Sequence, residues 1–274
     1  MDQPADQIAP GPILRLAACL GLSGPVGAVL PPAWHWLFFL DAVPQDALGI
    51  DGHRARGGLI AHDPAFSARM WAGGRLRFHK PVPLGAAVRR ESSVLHVRER
   101  AGRSGLLRFV TLRHRIASDA GLLVEEEQDI VLRAGPRGHA PAGPIPLLPQ
   151  AAVLRTLTPD EVMLFRFSAL TFNAHRIHYD APYATSVENY PGLVVHGPLQ
   201  AILLAGHAGA CVPAARMIRF DFRAASPAFC GRPLQLACWA DPARPNVWHA
   251  QSRDCDGVIC MTAEAGFSAD GGIG

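Results

Sequence analysis

The segment Phe172 to Ala184, FNAHRIHYDAPYA, gathers residue types that move protons: Asn173, His175, Arg176, His178 and Asp180 stand among apolar and aromatic neighbours that exclude water. The unperturbed pKa of histidine lies closest to neutrality, so a histidine in a largely dry cleft can accept a proton and return it. A short gap later comes Gly192 to Leu199, GLVVHGPL, where His196 and Gly197 lead into an apolar run. A helix beginning there would present unpaired amide groups and the positive end of its dipole, a natural place to stabilise a developing oxyanion. Gly197 is the best single donor in that turn, because a residue without a side chain lets another group come close to the backbone.

The elements that must position these residues follow from periodicity. The run after Gly197, LQAILLAGHAGA, predicts a helix over Leu199 to Ala210, with Pro198 in its first turn and Gly209 or Pro213 marking its end. Apolar residues lie on nearly every side of it, so it is expected to be buried on most faces. Strands are expected after it at Arg216 to Arg223, Pro233 to Ala240, Asn246 to Arg253 and Val258 to Ala265. The earlier half predicts another antiparallel set, at Met70 to Lys80, Ala87 to Glu99, Ser104 to Ser118 and Leu122 to Leu132, with alternation as clear as LRFVTLRHRI. Between the halves, Ala134 to Gln150 is rich in Pro and Gly and keeps no period. The expected division is therefore residues 1–133, a linker at 134–150, and a second unit at 151–274. A buried helix wrapped by a curved antiparallel sheet is the hot-dog arrangement, and two such units joined edge to edge make an α+β double hot dog.

Composition narrows the class. With 274 residues and 49% hydrophobic content, the chain can bury a substantial core. Its net charge of +3 comes from scattered residues, mostly arginines, with no basic block, which argues against nucleic acid as partner. Arginine does suit an anionic ligand such as a phosphate or carboxylate. Six thinly spread cysteines without a CxxC pair indicate neither a disulfide framework nor a zinc ribbon, and point to a reducing, cytoplasmic setting. The opening MDQPADQIAPGP lacks the basic start and apolar run of a signal peptide, and the sequence contains no long apolar membrane span.

The two motifs resemble those of the MaoC-like (R)-specific enoyl-CoA hydratases and 3-hydroxyacyl-thioester dehydratases, whose pattern is D-x-N-P-x-H-x-D followed by H-G-M. Aligned on H-x-D, the resemblance puts His178 on the family's catalytic histidine, Asp180 on its trailing aspartate and His196-Gly197 on its H-G pair. It puts Asn173 where the family has a catalytic aspartate, and His175 and Arg176 where it has Asn-Pro. These departures resemble the two-domain branch that contains fungal mitochondrial 3-hydroxyacyl-thioester dehydratases and bacterial mesaconyl-CoA and itaconyl-CoA hydratases. PPAWHWLFFLD, GIDGHRARGG and RMWAGGRLRFHKPVPLG look like signatures of that branch in the first half.

What the resemblance implies is reversible hydration of an enoyl thioester by a hydro-lyase. The expected base is His178, with Asn173 orienting water and Gly197 donating to the enolate oxygen. His175, Arg176, Tyr179, Asp180 and His196 are expected in supporting or substrate-binding roles, Asp180 equally as a helix cap and His196 more as a turn-fixing residue than a substrate-binding one. No metal and no separate cofactor are implied, coenzyme A being part of the substrate. The expected partner is an acyl-CoA or acyl-carrier thioester, with homo-oligomerisation left open. A dicarboxylic acyl group would want a cation, for which Arg69, Arg75 and Arg176 are candidates. His35, His62, His79, His96, His114, His207 and His249 read as structural, and the first half as chemically silent. Two alternatives stay open: a hot-dog thioesterase, and an inactive acyl-thioester-binding subunit, suggested by Asn173.

Overall fold

The computed structural model describes residues 4–23, 27–55, 58–60, 63, 65–66, 68–102, 105–134 and 146–268. Most of the predicted linker therefore lies outside the described residues. In chain order the elements are β1 (Ala5–Gln7), α1 (Pro10–Cys19), β2 (Ala68–Phe78), β3 (Ala87–Gly102), β4 (Gly105–Ser118) and β5 (Gly121–Arg133). The second half follows with β6 (Val153–Leu157), α2 (Glu161–Thr171), α3 (Ala181–Ser186), α4 (Gly197–Cys211), β7 (Met217–Ala224), β8 (Leu234–Ala240), β9 (Val247–Arg253) and β10 (Ile259–Phe267).

One ten-stranded antiparallel sheet runs in the order β1, β3, β4, β5, β2, β7, β10, β9, β8, β6. The halves meet at β2 and β7, paired from Gly73 opposite Arg223 to Arg77 opposite Arg219. This is the double hot dog. Glycine makes the seam tight: a Cβ on Gly74 would stand 2.7 Å from the Phe222 ring. An Arg77–Asp221 ion pair also spans it.

Within the second half, α4 touches β7, β8, β9 and β10 and buries Leu199 through Ala205 without a break. Its all-round apolarity has the consequence expected of a central helix. The first half carries no helix of that length among the described residues. Its core instead takes in Leu30 to Phe39, which has a single 3-10 turn at Trp34–Leu37 and buries Trp34, Leu37, Phe38 and Phe39. Period-2 alternation in β4 turns Val110, Leu112, His114 and Ile116 inward, which places His114 directly opposite Glu126 of β5. Glu126 is a buried carboxylate. It accepts hydrogen bonds from His35 Nε2 at 2.9 Å, Trp36 Nε1 at 2.8 Å and Gln128 Nε2 at 2.7 Å. Those donors outweigh burial and hold its carboxyl down at about 2. His35 and His114 thus belong to the packing of the first half.

Candidate active site

The chain enters the site from α2. Asp160 caps that helix by accepting from the Met163 amide at 2.8 Å, and Phe172, with φ of 48°, ends it in the left-handed conformation. The side-chain oxygen of Asn173 then accepts from the His175 amide at 3.0 Å, closing a turn that leads into a 3-10 turn at Arg176–His178. Asp180 caps α3 by accepting from the Tyr183 amide at 3.0 Å, and its other oxygen takes Arg176 Nη2 at 2.6 Å. The Arg176 guanidinium also lies over the Tyr183 ring. Asp180 and Arg176 are thus engaged with each other and hold this segment in shape. Exposed Tyr179 bonds outward, donating to the Ala174 carbonyl at 3.1 Å.

His178 is 7% exposed, and its Nδ1–H donates to the Val194 carbonyl at 2.7 Å. That bond selects the tautomer, leaving Nε2 as the lone-pair nitrogen. Burial pushes the His178 pKa down to about 4; the Val194 bond opposes the shift and positive charge at His53 adds to it. The ring is therefore a neutral base at pH 7. It stacks on His196 at 3.7 Å between centroids and an angle of 19°. His196 is completely buried, shares a 2.8 Å hydrogen bond between Nε2 and Ser168 Oγ, and leaves its Nδ1 without a partner among the described residues. Burial holds it well below the ordinary histidine value.

His196 is also the N-cap of α4, so the helix begins at Gly197 beside the stacked rings. The absence of a side chain there also makes room for packing. A Cβ on Gly197 would lie 2.8 Å from Cε3 of Trp71, a β2 residue of the first half. Trp71 in turn packs on Phe222 at 4.7 Å and meets Trp36 edge-on at 5.4 Å. An aromatic wall from the first half thus reaches the start of α4.

The first half contributes more than that wall. The loop after Gly49 crosses to the 173–178 segment: Arg176 donates its amide to the Asp51 carbonyl at 2.9 Å and Nη1 to the Ile50 carbonyl at 3.1 Å. Gly52, with φ of 87°, lies so close that a Cβ would overlap the Ala174 carbonyl oxygen. The loop brings Asp51 and His53 to His175, the His53 and His175 rings lying 4.0 Å apart. Sequence reasoning assigned no role to either residue, nor to Ser168 and Trp71. The available signal was Asp-Gly-His, a glycine-hinged acid and imidazole inside one of the first-half signatures. Two surface grooves lie elsewhere, one along β2, β7 and β10 and one between α1 and α2. Neither is lined by these histidines.

The sequence matches the hydroxyacyl-thioester dehydratase type 2 family over residues 33–230. The chain belongs to that family. It is 45% identical to the mesaconyl-C(4)-CoA hydratase of Chloroflexus aurantiacus over 262 residues, covering 92% of this chain and 91% of the relative. It is 33% identical to the mitochondrial hydroxyacyl-thioester dehydratase type 2 of Schizosaccharomyces pombe, covering 89% and 90%. A MaoC-like dehydratase from Phytophthora capsici shares the fold at a TM-score of 0.72 and 13% identity, over 98% of this chain and 95% of that one. The chain is a hydro-lyase acting on the carbon-carbon double bond of an enoyl thioester. Among the described residues no helix is long and apolar enough to cross a membrane.

Proposed function

We propose that this hydro-lyase adds water to a branched dicarboxylic enoyl-CoA of the mesaconyl-C4 type, with His178 Nε2 as the base. The observation that carries the chemistry is the single tautomer of His178, buried and anchored through Nδ1 to Val194. As the β-carbon is attacked, Nε2 takes the proton of the attacking water and the thioester carbonyl becomes an enolate. We assign that oxygen's charge to the amide of Gly197, a role supported by its position at the positive end of α4. The Asn173 side chain keeps an amide NH2 with which to orient water, its oxygen being held by the His175 amide. His196, stacked face to face, fixes the plane of His178.

Support for a dicarboxylic acyl group comes from the 45% identical relative and from the arginines. Arg75 is paired with Glu127 and Asp129, and Arg176 with Asp180. Arg69 has no ion pair among the described residues; it stands on β2 two positions before Trp71 and feels the charge of Asp51. We assign it the free carboxylate of the substrate. The proton chemistry needs no metal and no cofactor apart from the coenzyme A of the substrate itself. All six cysteines are unpaired, which supports a reducing compartment such as the cytosol. The test is the loss of conjugated enoyl-thioester absorbance with mesaconyl-C4-CoA and crotonyl-CoA, using the wild type and Arg69→Met. Selective loss of the dicarboxylic substrate in the variant is expected. Equal effects on both substrates would remove Arg69 from this role.

A further inference from the structure

Asn173 leaves the site without the exchangeable carboxyl that the simple family pattern carries at that position, and its oxygen is already committed to the His175 amide. Another carboxylate is close. Asp51 accepts from the His53 amide at 3.0 Å and from His53 Nδ1–H at 3.2 Å. One carboxylate thus holds both the backbone and the ring of His53, with Nδ1 turned toward Asp51. Nitrogen and oxygen atoms of Asp51, His53 and His175 lie within 4.8 Å of one another. From there the rings continue: His53 to His175 at 4.0 Å, His175 to His178 at 5.4 Å, His178 to His196 at 3.7 Å. A carboxylate–imidazole pair from the first half thus ends a row of four imidazoles that includes the proposed base. The overlap at Gly52 and the two Arg176 hydrogen bonds show that its placement is built into the fold.

We propose that His53 is the second acid–base group of the reaction and that Asp51 is the positioning residue acting through it, together replacing the aspartate absent at Asn173. The proposal rests on the hydro-lyase reading and deepens it. In hydration, His178 Nε2 takes one proton from water as the oxygen bonds to the β-carbon and the π electrons move onto the thioester oxygen. The enolate then re-forms its carbonyl as the α-carbon takes the Nε2 proton of a His53 carrying both ring protons, which leaves a neutral ring with Nδ1–H still on Asp51. One proton has been gained by His178 and one lost by His53, and its return, through His175 or solvent, resets the site without any other reactant. The first half, expected to be chemically silent, thereby supplies one of the two proton-transfer groups.

The full-length chain with Asp51→Asn or His53→Gln tests this. The carboxamide introduced by Asp51→Asn would still accept the His53 amide through its side-chain oxygen, so the turn survives while the charge and the fixed tautomer are lost. For each variant kcat is expected to fall about 10²- to 10³-fold with little change in KM, as for loss of a general acid. The kcat–pH profile is the readout that a structural role would not move. Among the described residues, the charged and titratable groups around the Asp51–His53 pair are His175, whose ring lies against His53, His178, which feels its charge, Arg69 and Tyr183, which feel the charge of Asp51, and Arg176, whose amide donates to the Asp51 carbonyl. The alkaline limb of the wild type should disappear in His53→Gln, and Asp51→Glu should recover part of the rate. Wild-type hydration lost in His178→Ala, with Asp51→Asn and His53→Gln both active and unchanged in pH profile, would overturn this proposal alone. A wild type that hydrates no enoyl thioester would instead remove the reading beneath it. Activity lost to a chelator and restored by zinc would overturn the proposal in favour of a metal held by Asp51, His53 and His175.

Discussion

Lowering the assay pH from 7.5 to 5.5 separates the His178 of this site from an ordinary histidine base. A base with the usual value of 6.5 would be about 9% neutral at pH 5.5, whereas one at about 4 would be about 97% neutral. Initial rates of hydration, read as kcat/KM, should therefore be nearly the same at the two pH values rather than falling about tenfold. The same shift has a cost in stability. Because the folded pKa lies below the unfolded one, the unfolded chain takes up the proton first, so stability falls as pH drops from 6.5 and stops falling below about 4. At pH 5.5 the loss from His178 is about 1 kcal/mol and over the whole window about 3 kcal/mol. His196, also depressed by burial, adds a loss of the same sign. Circular dichroism at each pH confirms that the protein assayed is folded. A kcat/KM that falls with unit slope below pH 6.5 while the protein stays folded would refute the assignment of a buried, neutral His178 as base.

Other substitutions probe what surrounds the base. Glu126→Ala strips the shared acceptor from His35, Trp36 and Gln128 and is expected to cost about 3–5 kcal/mol, read from the urea midpoint. Ser168→Ala leaves His196 with both ring nitrogens unpaired in a buried site and should cost about 1–3 kcal/mol by the same measurement. Gly197→Ala keeps the backbone N–H but drives a methyl group against Trp71; it should cost about 1–3 kcal/mol and raise KM for the thioester more than it lowers kcat. Unchanged kinetics would show that the Trp71 wall does not contact substrate.

Much of the scaffold was legible because periodicity is local. The expected strand Ala87 to Glu99 is β3 at Ala87–Gly102, and the expected helix Leu199 to Ala210 is α4 at Gly197–Cys211. Elements without a period were missed. The Pro-Gly-Pro opening of α1 carries no helical period, although proline is tolerated in a first turn, and β1 and β6 are short edge strands. In α2 the Thr-Pro-Asp-Glu start was visible, but its apolar residues follow no clear stripe. The site divides in the same way. His178, His196 and Gly197 announce themselves within one stretch of chain, whereas Asp51 and His53 reach His175 only because Gly52 lets a distant loop press against the Ala174 carbonyl. Nor can sequence show that the glycine of the H-G pair is emptied for a tryptophan from the other half.

The most direct measurement is hydration of mesaconyl-C4-CoA by wild type and His178→Ala, following loss of enoyl-thioester absorbance alongside free-thiol release. Hydration by the wild type without thiol release, reduced about 10²- to 10⁴-fold in the variant, is the predicted result. Near-normal turnover in His178→Ala, or thiol release in place of hydration, would contradict the assignment of His178 as the base of a hydro-lyase.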